Sequence, residues 1–463
     1  MARRLTDTEA MLWNLEQNPQ LGSTMGAIAT LEANPDPDRL RATVIRAISS
    51  VTALRECVRP SPVPLLPPEW VTDDQLDLDY HLRFIRLPTP ASHASMIRTA
   101  TGIINDPFDR TRPLWQLTVI SGLPKGRAGM AMKLHHSIAD GQGAIELAAH
   151  LLEFEPNAPA PDPIELAEVM DQFEPEADET SPTLADTIRV GAERVAGFLN
   201  DAASSFAHPG RTAEAGGDAV AAAKALAEQL PTNRSESSPL WRDRSRNRRF
   251  VSYQLPLETL KDAAKAHEVS LNDAYVVACA EAALRQHERA ETELPTIAAS
   301  VVISTRTESD GSAHNAFVPA TISLPGTGAS SEARLEAVSS QIIAKRAQLA
   351  ESPQLLGTFG TIANLLPTSV AAALILDQTS RVDFATSNLP GPPVPVWFAG
   401  CAMESLSPVG PVAGTAFNAT LLSYDNEAAI GLHIDPASIS DPESLRGDLR
   451  DGLRRLGVKG LPR

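Results

Sequence analysis

The chain has 463 residues, 43% hydrophobic and 21% charged, a globular composition on a length that exceeds one hydrophobic core and implies two domains. Its 40 basic against 57 acidic side chains leave a formal charge of −17, which excludes a nucleic-acid binder, since phosphate needs a net basic face, but permits a local basic patch. Three cysteines (Cys57, Cys279 and Cys401), far apart and odd in number, exclude a disulfide framework and read as small apolar residues of a reducing compartment.

In chain order, nothing apolar follows Arg3 and Arg4, so no secretory signal is expected. Residues 25–31 and 115–120 read as strands, and Leu40, Val44, Ile45 and Ile48 at helical spacing predict a helix over 38–51. The apolar run from Met130 to Leu134 then delivers the heptapeptide His135-His136-Ser137-Ile138-Ala139-Asp140-Gly141. From 153 to 180 acids and prolines abound and lysine and arginine are missing, which predicts a solvated connector. Two alanine-rich helical stretches follow, 184–204 and 213–230, separated by Pro209-Gly210 and closed by Pro231. Beyond 246, residues 250–254 alternate like a strand, 257–268 and 272–287 read as helices, and 297–305 as an apolar strand. Segments 416–423 and 428–434 read as strands joined by a turn at Asp425-Asn426.

The longest aliphatic run, 370–376, is far short of the ~20 residues that cross a bilayer. The expected protein is soluble or peripheral and cytoplasmic, with contact at the inner face of the membrane left open. The interrupted apolar segment 355–376 is expected inside the fold in preference to an interface, since it lacks a strongly polar face. The predicted organisation is an α/β subdomain over 1–154, an acidic and Ala-rich helical connector over 155–245, and a second α/β subdomain over 246–463.

Histidine exchanges a proton near neutral pH. At a strand end, with a carboxylate nearby and a glycine leaving room for substrate, it can act as a general base. Adjacent strand residues point to opposite faces, so at most one of His135 and His136 can face a given cleft. A plainer alternative stays open: His135 could be a hydrogen-bonded core histidine, Asp140 a helix-start acid after Ser137, and Gly141 simply small. A metal site is not expected, because helical zinc pairs stand four residues apart whereas these histidines adjoin. Pro113-Leu114-Trp115 reads as a buried packing corner. Asn272 and Ser270 compete to cap one helix, and the stretch from Asn388 through Pro390 and Gly391 to Pro392 reads as a rigid loop. The island from Arg242 to Arg249 is either a solvated charge run or a site for CoA phosphates or phospholipid.

The order HHxxxDG resembles the signature of the chloramphenicol-acetyltransferase-like superfamily of CoA-dependent acyltransferases. Outside that motif the chain resembles one branch, the bacterial wax ester synthase/acyl-CoA:diacylglycerol acyltransferases, through nearly its whole length. The likeness is carried, in order, by Leu5-Thr6-Asp7-Thr8-Glu9-Ala10-Met11-Leu12-Trp13, Leu78-Asp79-Tyr80-His81-Leu82-Arg83, Arg112-Pro113-Leu114-Trp115, Leu271-Asn272-Asp273, residues 301–306, and Ser387-Asn388-Leu389-Pro390-Gly391-Pro392. The resemblance implies an α/β fold of two chloramphenicol-acetyltransferase-like subdomains, each a mixed sheet flanked by helices, with a tunnel between them. It implies acyl transfer from a CoA thioester to an alcohol, with His136 as general base, His135 and Asp140 in support, and Gly141 leaving space for the acyl-CoA arm. Asn272 would lie beside the base, and Asn388, Pro390 and Gly391 would border the substrate. Arg306, paired with Asp140, would join Pro113 and Trp115 as structural support.

The implied partners are a long-chain acyl-CoA, as co-substrate without further cofactor, and a lipid alcohol. The alcohol would be diacylglycerol, giving triacylglycerol, or a fatty alcohol, giving wax ester; peripheral contact with a membrane or lipid droplet stays open. Two alternatives remain at this stage: a carrier-protein-dependent condensing enzyme with the same motif, and a lipid-binding relative without turnover. The chain departs from the family where a Leu-Asn-Gly-x-Ile-Gly stretch is replaced by residues 239–249, and where Val302-Ile303-Ser304 replaces a proline-containing strand. Both departures bear on acceptor choice.

Overall fold

Long apolar runs mark the central strands, which are buried on both faces because helices or a second sheet cover them. The computed structural model describes residues 3–61, 66–139, 141–173, 238–304, 317–351, 364, 366 and 368–461. A three-stranded sheet, β1 (Arg3–Arg4), β3 (Glu56–Arg59) and β4 (Glu69–Thr72), closes one end. The first large sheet has seven strands: β2 (Thr24–Leu31), β5 (Leu82–Arg86), β6 (Trp115–Ser121), β7 (Ala128–His135), β8 (Leu152–Glu153), β13 (Trp397–Phe398) and β14 (Cys401–Val409), in the order β5-β6-β7-β2-β14-β13-β8. The second has six: β9 (Arg249–Pro256), β10 (Thr296–Ser304), β11 (Phe317–Pro325), β12 (Phe384–Pro390), β15 (Phe417–Tyr424) and β16 (Glu427–Ile434), in the order β11-β10-β12-β15-β16-β9. Each of the two large sheets mixes parallel and antiparallel pairs.

The helices are α1 (Asp7–Leu15), α2 (Pro37–Ser50), α3 (Leu78–His81), α4 (His93–Asn105), α5 (Gly141–Ala149) and α6 (Leu166–Met170) in the first half. They are α7 (Leu257–Ala266), α8 (Leu271–Arg289), α9 (Ser331–Glu351), α10 (Thr368–Thr379) and α11 (Pro442–Arg455) in the second. Helix α2 shares a core with Met25, Met130 and Leu134 on one sheet face, whereas α4 covers Ile28, Ile120 and Ala131 on the other. In the second half α8 is buried over most of its circumference and packs against α7, α9 and α11. Its inward Glu281, 1% exposed, is neutralised by Arg334 at 2.6 Å and Arg455 at 2.9 Å.

Residues 397–409 cross from the second half to complete the first sheet, with β14 antiparallel to β2 from Val409 opposite Gly26 to Met403 opposite Leu31. The crossing presses β14 onto β16. A methyl group on Gly431 would sit 1.8 Å from the Pro408 carbonyl oxygen, so only glycine fits there. The halves are thus interleaved, not merely abutted.

The strands and helices read from periodicity are present within a residue or two at each end. The turn at Asp425 and Asn426 has both residues at positive φ, 46° and 65°, the two-residue hairpin geometry that suits Asp and Asn. The acidic connector is less solvated than expected: α6 buries Val169 completely, and Ile164, Leu166, Met170 and Phe173 pack on the first core. Arg55 lies 3.7 Å over the Phe173 ring. The stretches 184–204 and 213–230 fall outside the described residues. Of the 355–376 segment, α10 packs Ala372, Ile375 and Leu376 against Leu15 and Leu21, while Val370 on the same helix is 41% exposed, so one face is inward and the other open.

Candidate active site

Strand β7 ends at His135, and its backbone N–H donates to the Leu114 carbonyl at 3.1 Å, so the Pro113-Leu114-Trp115 corner fixes where the strand stops. Pro113 is buried, and Trp115 anchors the corner by donating its indole N–H to the Leu54 carbonyl at 2.8 Å. His81 stacks on Trp115, with centroids 4.5 Å apart, and bonds its carbonyl at 2.8 Å. Burial holds the His81 ring neutral by lowering its pKa to about 4, against the pull of that bond. Both members of the corner are buried and packed in the first core.

The two motif histidines divide sharply. His135 is 1% exposed. Its Nδ1 accepts from the Ser137 backbone N–H at 3.0 Å and from the Ser137 hydroxyl at 2.7 Å, which assigns the ring proton to Nε2. That proton is directed to Glu16 Oε2 at 3.2 Å. The rings of Trp13 and Phe108 meet it edge-on at 6.3 and 6.2 Å. Both nitrogens are committed, so His135 is the satisfied histidine of the pair. His136 lies beyond the strand, half-buried, with its backbone N–H donating to the Ser23 carbonyl at 3.0 Å.

Glu16 ties these pieces together. Besides His135, its carboxylate accepts the Ser23 N–H at 2.5 Å and the Thr24 hydroxyl at 3.3 Å. Burial alone would raise its pKa, but the hydrogen bonds that it accepts from His135, Ser23 and Thr24 outweigh it and hold the carboxyl below its usual range. The same residue, Ser23, is held by Glu16 through its N–H and holds His136 through its carbonyl. Arg110 completes the wall, 3.6 Å over the Trp13 ring and bonded to the Trp13 carbonyl at 2.8 Å.

From the second half, β12 packs against both α5, which begins at Gly141, and α8, whose first turn carries Asn272. Asn272 is half-buried and does not cap its helix; Ser270 and Asp273 do so reciprocally. Asn388 is half-buried on β12 opposite Leu421, Pro390 is exposed, and Gly391 passes so close to Ser423 that a methyl group would lie 2.3 Å from its carbonyl oxygen. The expected rigid loop begins as strand, since β12 continues through Pro390. Asp140 and Arg306, expected to pair, lie outside the described residues. Two cavities, of about 260 and 290 Å³, flank α4 and are not lined by His136. Among the described residues no cluster of three metal-ligating side chains occurs, and no helix is long and apolar enough to cross a membrane.

The basic island is neither wholly solvated nor wholly free for a ligand. Arg248 pairs with Asp435 at 3.4 Å, and Arg244 bonds the Gly414 carbonyl at 2.8 Å and Ser438 at 3.0 Å. Both arginines clasp the segment to the second sheet, while Arg242, Arg246 and Arg249 stay exposed. Sequence reasoning did not single out Glu16, Ser23 or Phe108. Glu16 follows the recognised opening block by three positions, the one hint available.

Two mixed sheets, the first completed by β13 and β14 from the second half and carrying the paired histidines at the end of β7, make a two-lobed α/β scaffold of the kind that acyltransferases use. Comparison with known proteins supports and refines this. The model of the wax ester synthase/diacylglycerol acyltransferase catalytic domain matches residues 5–275, and that of the WS/DGAT C-terminal domain matches residues 314–457. A candidate diacylglycerol O-acyltransferase of Mycobacterium tuberculosis is 28% identical over 460 residues, covering 96% of this chain and 90% of that one. The fold matches the wax ester synthase/diacylglycerol acyltransferase from Marinobacter aquaeolei with a TM-score of 0.67 at 21% identity, covering 98% of both chains. It also matches the first condensation domain of the calcium-dependent antibiotic synthetase, with a TM-score of 0.58 at 16% identity over 98% of this chain and 95% of that one. The chain belongs to the wax ester synthase/diacylglycerol acyltransferase family. It is an acyl-CoA-dependent O-acyltransferase of that class, acting between an acyl-CoA and a lipid acceptor.

Proposed function

We propose that this chain transfers a long-chain acyl group from acyl-CoA to diacylglycerol, and secondarily to a fatty alcohol, with His136 as general base. The observation that carries the assignment is the division of the histidine pair. His135 has both nitrogens committed inside the core, whereas His136 is half-buried and held by its backbone through Ser23. A base must be fixed in place yet reachable by the hydroxyl.

In this reading the imidazole of His136 takes the proton from the acceptor hydroxyl as its oxygen bonds to the thioester carbonyl carbon. The tetrahedral intermediate then expels the CoA sulfur, and the imidazolium returns the proton to the leaving thiolate. The ester and free CoA are the products, with no covalent acyl-enzyme and no net change in the protein. General base catalysis accounts for about 10²–10⁴-fold of the rate, and positioning and oxyanion stabilisation for the rest. Asp140, Gly141, Asn272, Asn388, Pro390, Gly391 and Arg306 keep the roles that the family resemblance assigns, around a channel between the halves. Acyl-CoA is the co-substrate and no cofactor takes part. The enzyme works in the cytoplasm and reaches its lipid acceptor at the inner membrane face or a lipid droplet.

The preference for diacylglycerol rests on the family match and the names of the mycobacterial relatives. Purified protein assayed with palmitoyl-CoA against diacylglycerol, monoacylglycerol and hexadecanol tests it. Diacylglycerol is expected to give the highest kcat/KM; turnover with hexadecanol alone, or only with a carrier-bound acyl chain, would overturn the reading.

A further inference from the structure

The face of the first sheet under α4 carries a polar constellation that acyl transfer does not use. Strand alternation places Gln116 and Thr118 of β6 beside Lys133 of β7 and Arg83 of β5 on this face, since Gln116 pairs with Lys133 and Thr118 with Arg83. These four residues line a cavity of about 260 Å³ whose apolar walls are Ile85 and Ile103. It is small beside drug-sized pockets of about 300–1,000 Å³.

Lys133 is 1% exposed, and a lysine that deep is rare unless something answers its charge. Its partners are the Asp106 carbonyl at 2.6 Å, the Gln116 side-chain oxygen at 3.4 Å and the face of Phe108 at 4.3 Å from the centroid. All are neutral, and the ammonium has a third proton to give. Burial lowers its pKa to about 8, with Asp106 opposing and Arg83 adding to the fall, so it remains charged at pH 7. Thr118 is also 1% exposed, and its hydroxyl has no hydrogen-bond partner among the described residues. A buried hydroxyl left unpaired costs free energy, and one that lines a cavity beside an ammonium with a proton to give can serve, with it, a single acceptor group.

We propose that this cavity binds a small monocarboxylate with a short apolar chain, its carboxylate between Lys133 Nζ and the Thr118 hydroxyl and its chain along Ile85 and Ile103. A dianion such as phosphate fits less well, because Asp106 also lines the cavity and Ile85, Ile103 and Pro107 give one part of the wall no donor for it. The site is distinct from the one at His136. It adjoins it through Phe108, whose ring meets Lys133 on one side and the edge of His135 on the other.

Isothermal titration of the full chain with hexanoate tests the assignment, with hexanol and inorganic phosphate as comparison probes and Thr118→Val and Lys133→Met as variants. Thr118→Val conserves shape and removes an unpaired hydroxyl, so it leaves the fold intact. One hexanoate is expected to bind, about 10-fold more weakly in T118V and not detectably in K133M, with hexanol and phosphate both weaker than hexanoate in the wild type. Absence of hexanoate binding, binding unchanged in T118V, or phosphate binding tighter than hexanoate would each overturn the proposal. Turnover at His136 is not read out, so its failure and that of the catalytic assignment are separable.

Discussion

Truncating Glu16 to alanine tests whether the histidine pair is held from behind by a carboxylate. The side chain accepts from three donors, two of them on residues almost wholly buried: the His135 ring N–H and the Ser23 backbone N–H. Stranding a buried donor costs about 1–3 kcal/mol, so E16A should lower the unfolding free energy by about 4 kcal/mol. Glu16→Gln keeps an acceptor but turns charge-assisted bonds into neutral ones, a loss of about 1 kcal/mol. Because Ser23 also holds His136, Glu16 is a positioning residue, and E16A should lower kcat by about 10-fold or more with little change in the acyl-CoA KM. Urea titration followed by tryptophan fluorescence gives the first quantity and initial rates give the second. The sign of the pH effect follows from the lowered pKa of Glu16. Its contribution is fully present above the ordinary 4.5 and is lost as pH falls through the lower native value. The gap between wild type and E16Q should therefore narrow below pH 4.5. An E16A loss below about 1 kcal/mol with kcat unchanged refutes the reasoning.

Three other outcomes follow. His81 and His433 are buried as neutral rings with pKa values lowered by desolvation to about 4 from 6.5. At about 1.36 kcal/mol per pKa unit each contributes about 3 kcal/mol, present above 6.5 and lost as pH falls through 4. His433→Asn should then take about one proton off the slope of stability against pH between those limits, and an unchanged slope would contradict this. Gly431→Ala places a methyl group 1.8 Å from the Pro408 oxygen and 3.0 Å from the Phe250 ring, and should cost about 3 kcal/mol in urea midpoint terms; wild-type stability would show that the strands do not meet there. Arg248→Met removes the cation from Asp435, whose side chain is 1% exposed, and should cost about 3 kcal/mol while leaving the acyl-CoA KM unchanged. A raised KM at unchanged stability would instead make Arg248 a CoA contact.

Much of this was legible before any coordinates. Apolar periodicity locates β2, β6, β9, β15, β16 and helices α2, α7 and α8, because their burial is local to each element. His135, the last residue of β7, is buried, whereas His136, expected to alternate with it along the strand, lies one residue past the strand's end and is half-buried. What could not be read is long-range. Glu16 meets His135 across 119 positions, and its nearness to the opening block does not say which residue it meets. The 401–409 strand looks like any other, yet its register against β2 joins the two halves. Charge runs misled in both directions: the acidic connector hides Val169 and Phe173 against the core, and the arginine island spends Arg244 and Arg248 on internal bonds. At the start of α8, Ser270 wins the cap from Asn272 because its hydroxyl reaches the Asp273 N–H at 3.1 Å while Asp273 answers back.

The most direct test of the catalytic assignment is the kcat of His136→Ala with palmitoyl-CoA and diacylglycerol, measured beside its urea midpoint and its affinity for acyl-CoA. Loss of the general base predicts a fall of about 10²–10⁴-fold in kcat with midpoint and affinity near wild type. Turnover within about twofold of wild type would contradict the account.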